Sequence, residues 1–113
     1  MNKEYLRTIY DALDDKKAND IVILDVSTIS DVTDYFIIAS GSNNNQVQAM
    51  SENVEEKLAE LGIKEHKVEG YKNAEWILLD YTDFIVQIFT DEQRQFYALE
   101  KIWSDANRVE KPE

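Results

Sequence analysis

Between Lys3 and Lys16, Leu6, Ile9, Tyr10 and Leu13 recur three or four residues apart, with acids and bases in the gaps. That period gathers the apolar side chains on one stripe and predicts an amphipathic first helix. Ile21 to Val26 is an apolar run broken only by Asp25. After a polar connection from Ser27 to Thr33, the segment Asp34 to Ala39 repeats the pattern. Short continuous runs of this kind predict strands covered on both faces. Gly41-Ser42-Asn43-Asn44-Asn45 is a turn cluster rich in helix N-caps. The stripe that follows, Val47, Met50, Val54, Leu58 and Leu61, predicts a second helix closed by Gly62.

Lys64 to Glu69 is short and polar, with Ile63 and Val68 as apolar flanks, and suits an edge strand. Gly70 to Asn73 predicts a turn. Glu75 to Tyr81 and Phe84 to Phe89 are two further strands, and only Thr82-Asp83 separates them, so they form a hairpin. Thr90 and Gln93 have capping-box spacing and open a last helix, with Phe96, Leu99, Ile102 and Trp103 on one side. Residues 107 to 113, which hold the only proline, read as a frayed tail.

The predicted fold is therefore α/β, of the α+β kind. A mixed sheet of about five strands is flanked by three helices in a single domain over residues 1–106, followed by the tail 107–113. Both hairpin strands are apolar on both faces. Each face needs cover, from a helix or from another molecule.

Length and composition narrow the function. A chain of 113 residues is one ordinary domain, able to bury about two thirds of its unfolded surface. With no cysteine, thiolate catalysis, cysteine-ligated zinc and iron–sulfur clusters are excluded. Twelve basic and twenty-three acidic residues give a net charge of −11. That charge disfavours nucleic acid and anionic lipid as partners and favours basic proteins. No apolar run is long enough to span a bilayer, and the N-terminus lacks the pattern of a signal or transit peptide. A cytoplasmic protein is expected.

Two places invite a catalytic reading. Ala39-Ser40-Gly41-Ser42 lies between a strand and a helix, where backbone amides hold anions, and the Gly-Ser resembles that of nucleotidyltransferases. Metal-assisted phosphoryl transfer needs two carboxylates close together. Here Glu52, Glu55 and Glu56 fall on the helix, and Asp80 and Asp83 flank a turn, so the paired acids on one strand are missing. A capped helix behind a tight turn is the preferred reading. The second place is His66, the only histidine, which lies between Glu65 and Lys67 on a short polar strand and reads as exposed. No catalytic residue, metal or cofactor is expected.

Glu75 to Tyr81 is more informative. Strand alternation puts Trp76, Leu78 and Asp80 on one face and Ile77, Leu79 and Tyr81 on the other. An ionised aspartate is rarely buried unpaired, so the Trp76 face is wet at its Asp80 end. Tryptophan and leucine beside a hydrated carboxylate suit a protein interface. Packing of Trp76 beneath a helix explains the spacing equally well.

Several blocks together are specific. Ser30 to Ser42 with Gln46-Val47-Gln48-Ala49, Glu69-Gly70, Glu75 to Tyr81, Asp83 to Val86, and Glu92 to Trp103 resemble the Iojap family of ribosomal silencing factors over residues 3 to 106. The resemblance implies a non-enzymatic translation repressor with a nucleotidyltransferase-like fold. It implies binding to protein fourteen of the large ribosomal subunit, a small basic protein, and a steric block to joining of the small subunit. It also implies a possible homodimer off the ribosome. Partner contacts are expected at Trp76, Leu78 and Asp80, with Tyr81 and Asp83 near the rim. The alternative is a metal-dependent nucleotidyltransferase-like enzyme. Asp34, Arg94, Tyr97 and Glu100 match the family pattern too, and an internal structural role accounts for them equally well.

Three positions depart from the family. Asn45 replaces a common arginine, Gln87 replaces a histidine, and Thr82 replaces a glycine, which argues against a turn with positive φ there.

Overall fold

A computed structural model describes residues 4–97 and 107–109. Its elements follow the chain as α1 (Glu4–Asp15), β1 (Asn19–Asp25), β2 (Tyr35–Gly41), α2 (Asn44–Glu60), β3 (Lys67–Glu69), β4 (Trp76–Asp80), β5 (Phe84–Thr90), α3 (Asp91–Tyr97) and β6 (Asn107–Val109). The strands form one mixed sheet in the order β3-β4-β5-β2-β1-β6. β2 and β5 are parallel, joined by a crossover that contains α2. The other neighbouring strands are antiparallel. Five strands match the predicted ones. The sixth comes from the stretch read as a frayed tail: Asn107–Val109 pairs with Ile23 to Asp25 of β1.

Alternation along each strand separates two apolar layers. Leu6, Ile9 and Leu13 of α1 and Val47, Met50, Val54 and Leu58 of α2 pack on Ile23, Ile37, Ala39, Ile77, Leu79, Val86 and Ile88. The stripes read from the sequence are these buried faces, except that Leu61 caps α2 from outside and is exposed. On the opposite face Val22, Leu24, Val26, Phe36, Ile38 and Ile85 form a second buried cluster, against which Leu78 packs. Phe89 and Gln87 are buried as well. The cover demanded by the two-faced strands is thus largely provided within the chain, while the β3–β4 margin stays open among the described residues.

α3 packs against β5 and β2. Arg94, itself buried, donates to the carbonyl of Asn19 at 3.2 Å and to Ser40 Oγ at 3.4 Å. This gives the family-matching arginine an internal role. The predicted capping box is present in part, with the Gln93 amide donating to Thr90 Oγ1 at 3.4 Å. Leu99, Glu100, Ile102 and Trp103, and the side chains of Phe96 and Tyr97, lie outside the described residues.

Candidate partner-binding surface

The open margin begins with a turn anchored on α2. Asn44, Gln48 and Glu52 are spaced four residues apart and share one helix face. Asn44 donates to the carbonyl of Asn73 at 2.8 Å and Gln48 to that of Tyr71 at 2.9 Å. Glu52 accepts a hydrogen bond from the Tyr71 hydroxyl. That bond first, then burial and the charges of Glu52 and Glu55, raise the Tyr71 phenol above its ordinary value. The Ala74 amide closes the turn on the Gly70 carbonyl at 2.9 Å. Gly70 has φ +80°, a conformation that side-chain-bearing residues rarely adopt. This turn delivers the chain into β4 with Trp76 on the sheet face opposite α1 and α2.

Trp76 is 36% exposed and rests on Phe89, ring centroids 5.0 Å apart and tilted by 46°. With Leu78, Glu69 and Gly70 it lines a shallow groove of about 270 Å³ at the sheet margin. Leu78 and Asp80 are half-buried and alternate with fully buried Ile77 and Leu79, as strand geometry requires. Asp80 stands opposite Lys67 in register. One of its carboxylate oxygens accepts from the Thr82 amide at 2.9 Å.

The structure brings Trp76, Leu78 and Asp80 together on one face. Tyr81 does not join them. It is only 7% exposed and belongs to the helix-side core, because the alternation that turns Asp80 outward turns its neighbour inward. Its ring stacks on Phe84 at 4.9 Å and on His66 at 4.4 Å. Burial first, then the Glu55 charge, pushes its phenol well up. Asp83 is exposed in the β4–β5 turn, and its carbonyl accepts from the Asp34 amide at 3.0 Å. His66 is also not the exposed residue that its polar neighbours predict. It precedes β3, with Nε2 2.7 Å from Glu55 Oε2 and Nδ1 2.6 Å from the Lys64 carbonyl.

Thr82 corrects another expectation. Despite its branched side chain it has φ +76°, and the Asp83 amide bonds the Tyr81 carbonyl at 2.9 Å across it. That is a tight γ-turn of the strained hand. Restoring glycine should relieve the strain. Thr82→Gly is expected to stabilise the fold by about 1 kcal/mol after the added unfolded-state entropy is subtracted. Urea denaturation checks this, and an unchanged or lower midpoint would show that Thr82 fits the turn without strain.

The Gly41-Ser42 junction is occupied by its own side chains. The Ser42 amide donates to Gln46 Oε1 at 2.6 Å, and the Gln46 amide to Asn43 Oδ1 at 2.8 Å. Gln46 Nε2 also reaches the carbonyls of Lys16 and Lys17 at the end of α1. Among the described residues, no three histidine or carboxylate side chains converge on a common point for a metal. Nor is any described helix long and apolar enough to cross a membrane.

With this geometry in place, similarity to known proteins becomes decisive. The family model described as "Ribosomal silencing factor during starvation" matches residues 1–113. The chain belongs to the ribosomal silencing factor family. A ribosomal silencing factor of Bacillus subtilis is 42% identical over 104 residues, covering 92% of this chain and 88% of that protein. Its counterpart in Halalkalibacterium halodurans is 40% identical over 109 residues, covering 96% and 93% respectively. A crystal structure from Chromobacterium violaceum superposes with a TM-score of 0.87 at 32% identity, covering all of this chain and 92% of the other. The family that the sequence blocks resembled is therefore the family to which the chain belongs, and the mixed sheet is shared with a solved structure.

Proposed function

We propose that this protein is a cytoplasmic translation repressor that binds the large ribosomal subunit through its basic protein fourteen and sterically prevents the small subunit from joining. The observation that carries the reading is the exposed Trp76 beside Leu78 and Asp80, at an open margin of a largely buried sheet face, on a chain of net charge −11. An aromatic anchor next to a carboxylate suits a basic protein surface. Asp80 would meet a lysine or arginine in a charge-assisted bond. Ribosomal RNA would repel the same acidic surface, so a protein contact is the favoured mode. Repression then needs no chemistry: an occupied docking face on the large subunit is a closed one.

The enzymatic alternative, a nucleotidyltransferase-like site at Gly41-Ser42, has less support, since Gln46 and Asn43 already engage the Ser42 and Gln46 amides there. Off the ribosome, a second copy of the chain is the expected occupant of the exposed margin. Dimerisation would then compete with repression by mass action.

Titration calorimetry with isolated protein fourteen tests the contact. A one-to-one complex whose affinity falls as salt is raised is expected. Absence of heat at both low and physiological salt would reject protein fourteen as the partner.

A further inference from the structure

The loop between β1 and β2 inverts the usual order of polar and apolar side chains. Val32 is 74% exposed and Ile29 45% exposed. Thr33, between Val32 and β2, is 4% exposed, and its buried hydroxyl has no hydrogen-bond partner. Folding alone favours the opposite arrangement, because an orphaned buried hydroxyl and a solvated valine both work against the folded state. An inversion of this kind, on the surface of an ordered loop, points to function rather than to stability.

The loop is also well built. The Val26 amide donates to the Asp34 carbonyl at 2.8 Å, and the Ile29 and Ser30 amides return to the Val26 carbonyl at 3.0 and 2.8 Å. The Val32 amide donates to Ser30 Oγ at 3.1 Å. Asp25 Oδ1 accepts from both the amide and the hydroxyl of Ser27. A loop fixed in this way presents Val32 in a defined position, which reduces the ordering entropy lost on binding.

Carboxylates adjoin the loop in the chain and across the β4–β5 turn. Asp31 precedes Val32, and Asp34 is joined through its amide to the Asp83 carbonyl. Burial first, then Tyr35 and the charges of Asp83, Asp34 and Asp25, push the nearby Tyr5 phenol up to about 12. Through the Asp83 turn the loop is continuous with the Asp80 end of β4.

We propose that the β1–β2 loop is a second contact for the basic protein that docks on β4. Ile29 and Val32 supply the apolar anchors, and Asp31 and Asp83 face lysines or arginines of that partner. The inference rests on the reading that a basic protein of the large subunit is the partner.

Wild type, Trp76→Ala, Val32→Ser and the Ile29→Ser/Val32→Ser double variant are compared for binding to purified large subunits, with thermal melts alongside. The double variant is expected to bind about tenfold more weakly at an unchanged melting temperature, with Val32→Ser part-way between. Val32→Ser keeps the test open should loss of Ile29 disturb the loop. Wild-type affinity in both loop variants, with Trp76→Ala weakened, overturns the second contact and leaves the β4 reading in place. If wild type itself fails to bind, the β4 reading is overturned and the second contact with it.

Discussion

Trp76→Ala is expected to lower affinity for the large ribosomal subunit about thirtyfold or more, the range of a central aromatic hot spot. The protein should remain folded. Trp76 lies at the margin and is 36% exposed, so truncation is expected to remove only about 1–2 kcal/mol of stability. The core between the helices and the sheet does not include Trp76 and is untouched. Co-sedimentation of wild type and variant at matched concentrations reads the difference. A folded Trp76→Ala protein that binds like wild type would remove this residue from the interface.

Gly70→Ala should have the largest effect on stability. A Cβ on Gly70 would lie 2.1 Å from the Trp76 carbonyl oxygen and 3.2 Å from its carbonyl carbon. Neither atom is the end of a flexible side chain, so the β3–β4 backbones must separate. The positive φ adds to the penalty. Together these are expected to cost about 3 kcal/mol or more and to lower the melting temperature by about 10 °C. Because the same turn aims Trp76, binding should fall with stability. Thermal denaturation followed by circular dichroism is the check. A wild-type melting temperature would mean that the turn moves aside freely and does not position Trp76.

The two substitutions show which parts of the site could be read from the sequence. The face shared by Trp76, Leu78 and Asp80 follows from a period of two along a run with clear ends, and it was legible without a structure. Tyr81 is expected near the rim, although the same alternation puts it on the helix side, where it is found. The scaffold beneath Trp76 left almost no trace. Asn44, Gln48 and Glu52 bond a turn some twenty to thirty residues away, and polar pairs that distant have no periodic signature. β6 escaped because three residues, Asn107–Val109, are too few and too polar to signal a strand. The inversion of Val32 and Thr33 was hidden for a related reason. A valine and a threonine side by side in a polar connection give no sign of which one the fold will bury.

Thr82 carries a different lesson. Comparison with the family glycine marks the position as unusual, but the argument against positive φ there does not hold. The Asp80 carboxylate on the Thr82 amide and the bond between Tyr81 and Asp83 hold the turn despite the side chain. Hydrogen bonds made by neighbours can impose a backbone conformation that the residue itself disfavours.

The central claim is that an acidic protein closes the large subunit by occupying a docking face. Sucrose-gradient analysis of subunit joining tests it most directly, with purified protein added to large subunits before small subunits. The account predicts protein co-sedimenting with free large subunits and a loss of joined ribosomes. Protein remaining at the top of the gradient, with joining unaffected, would contradict it.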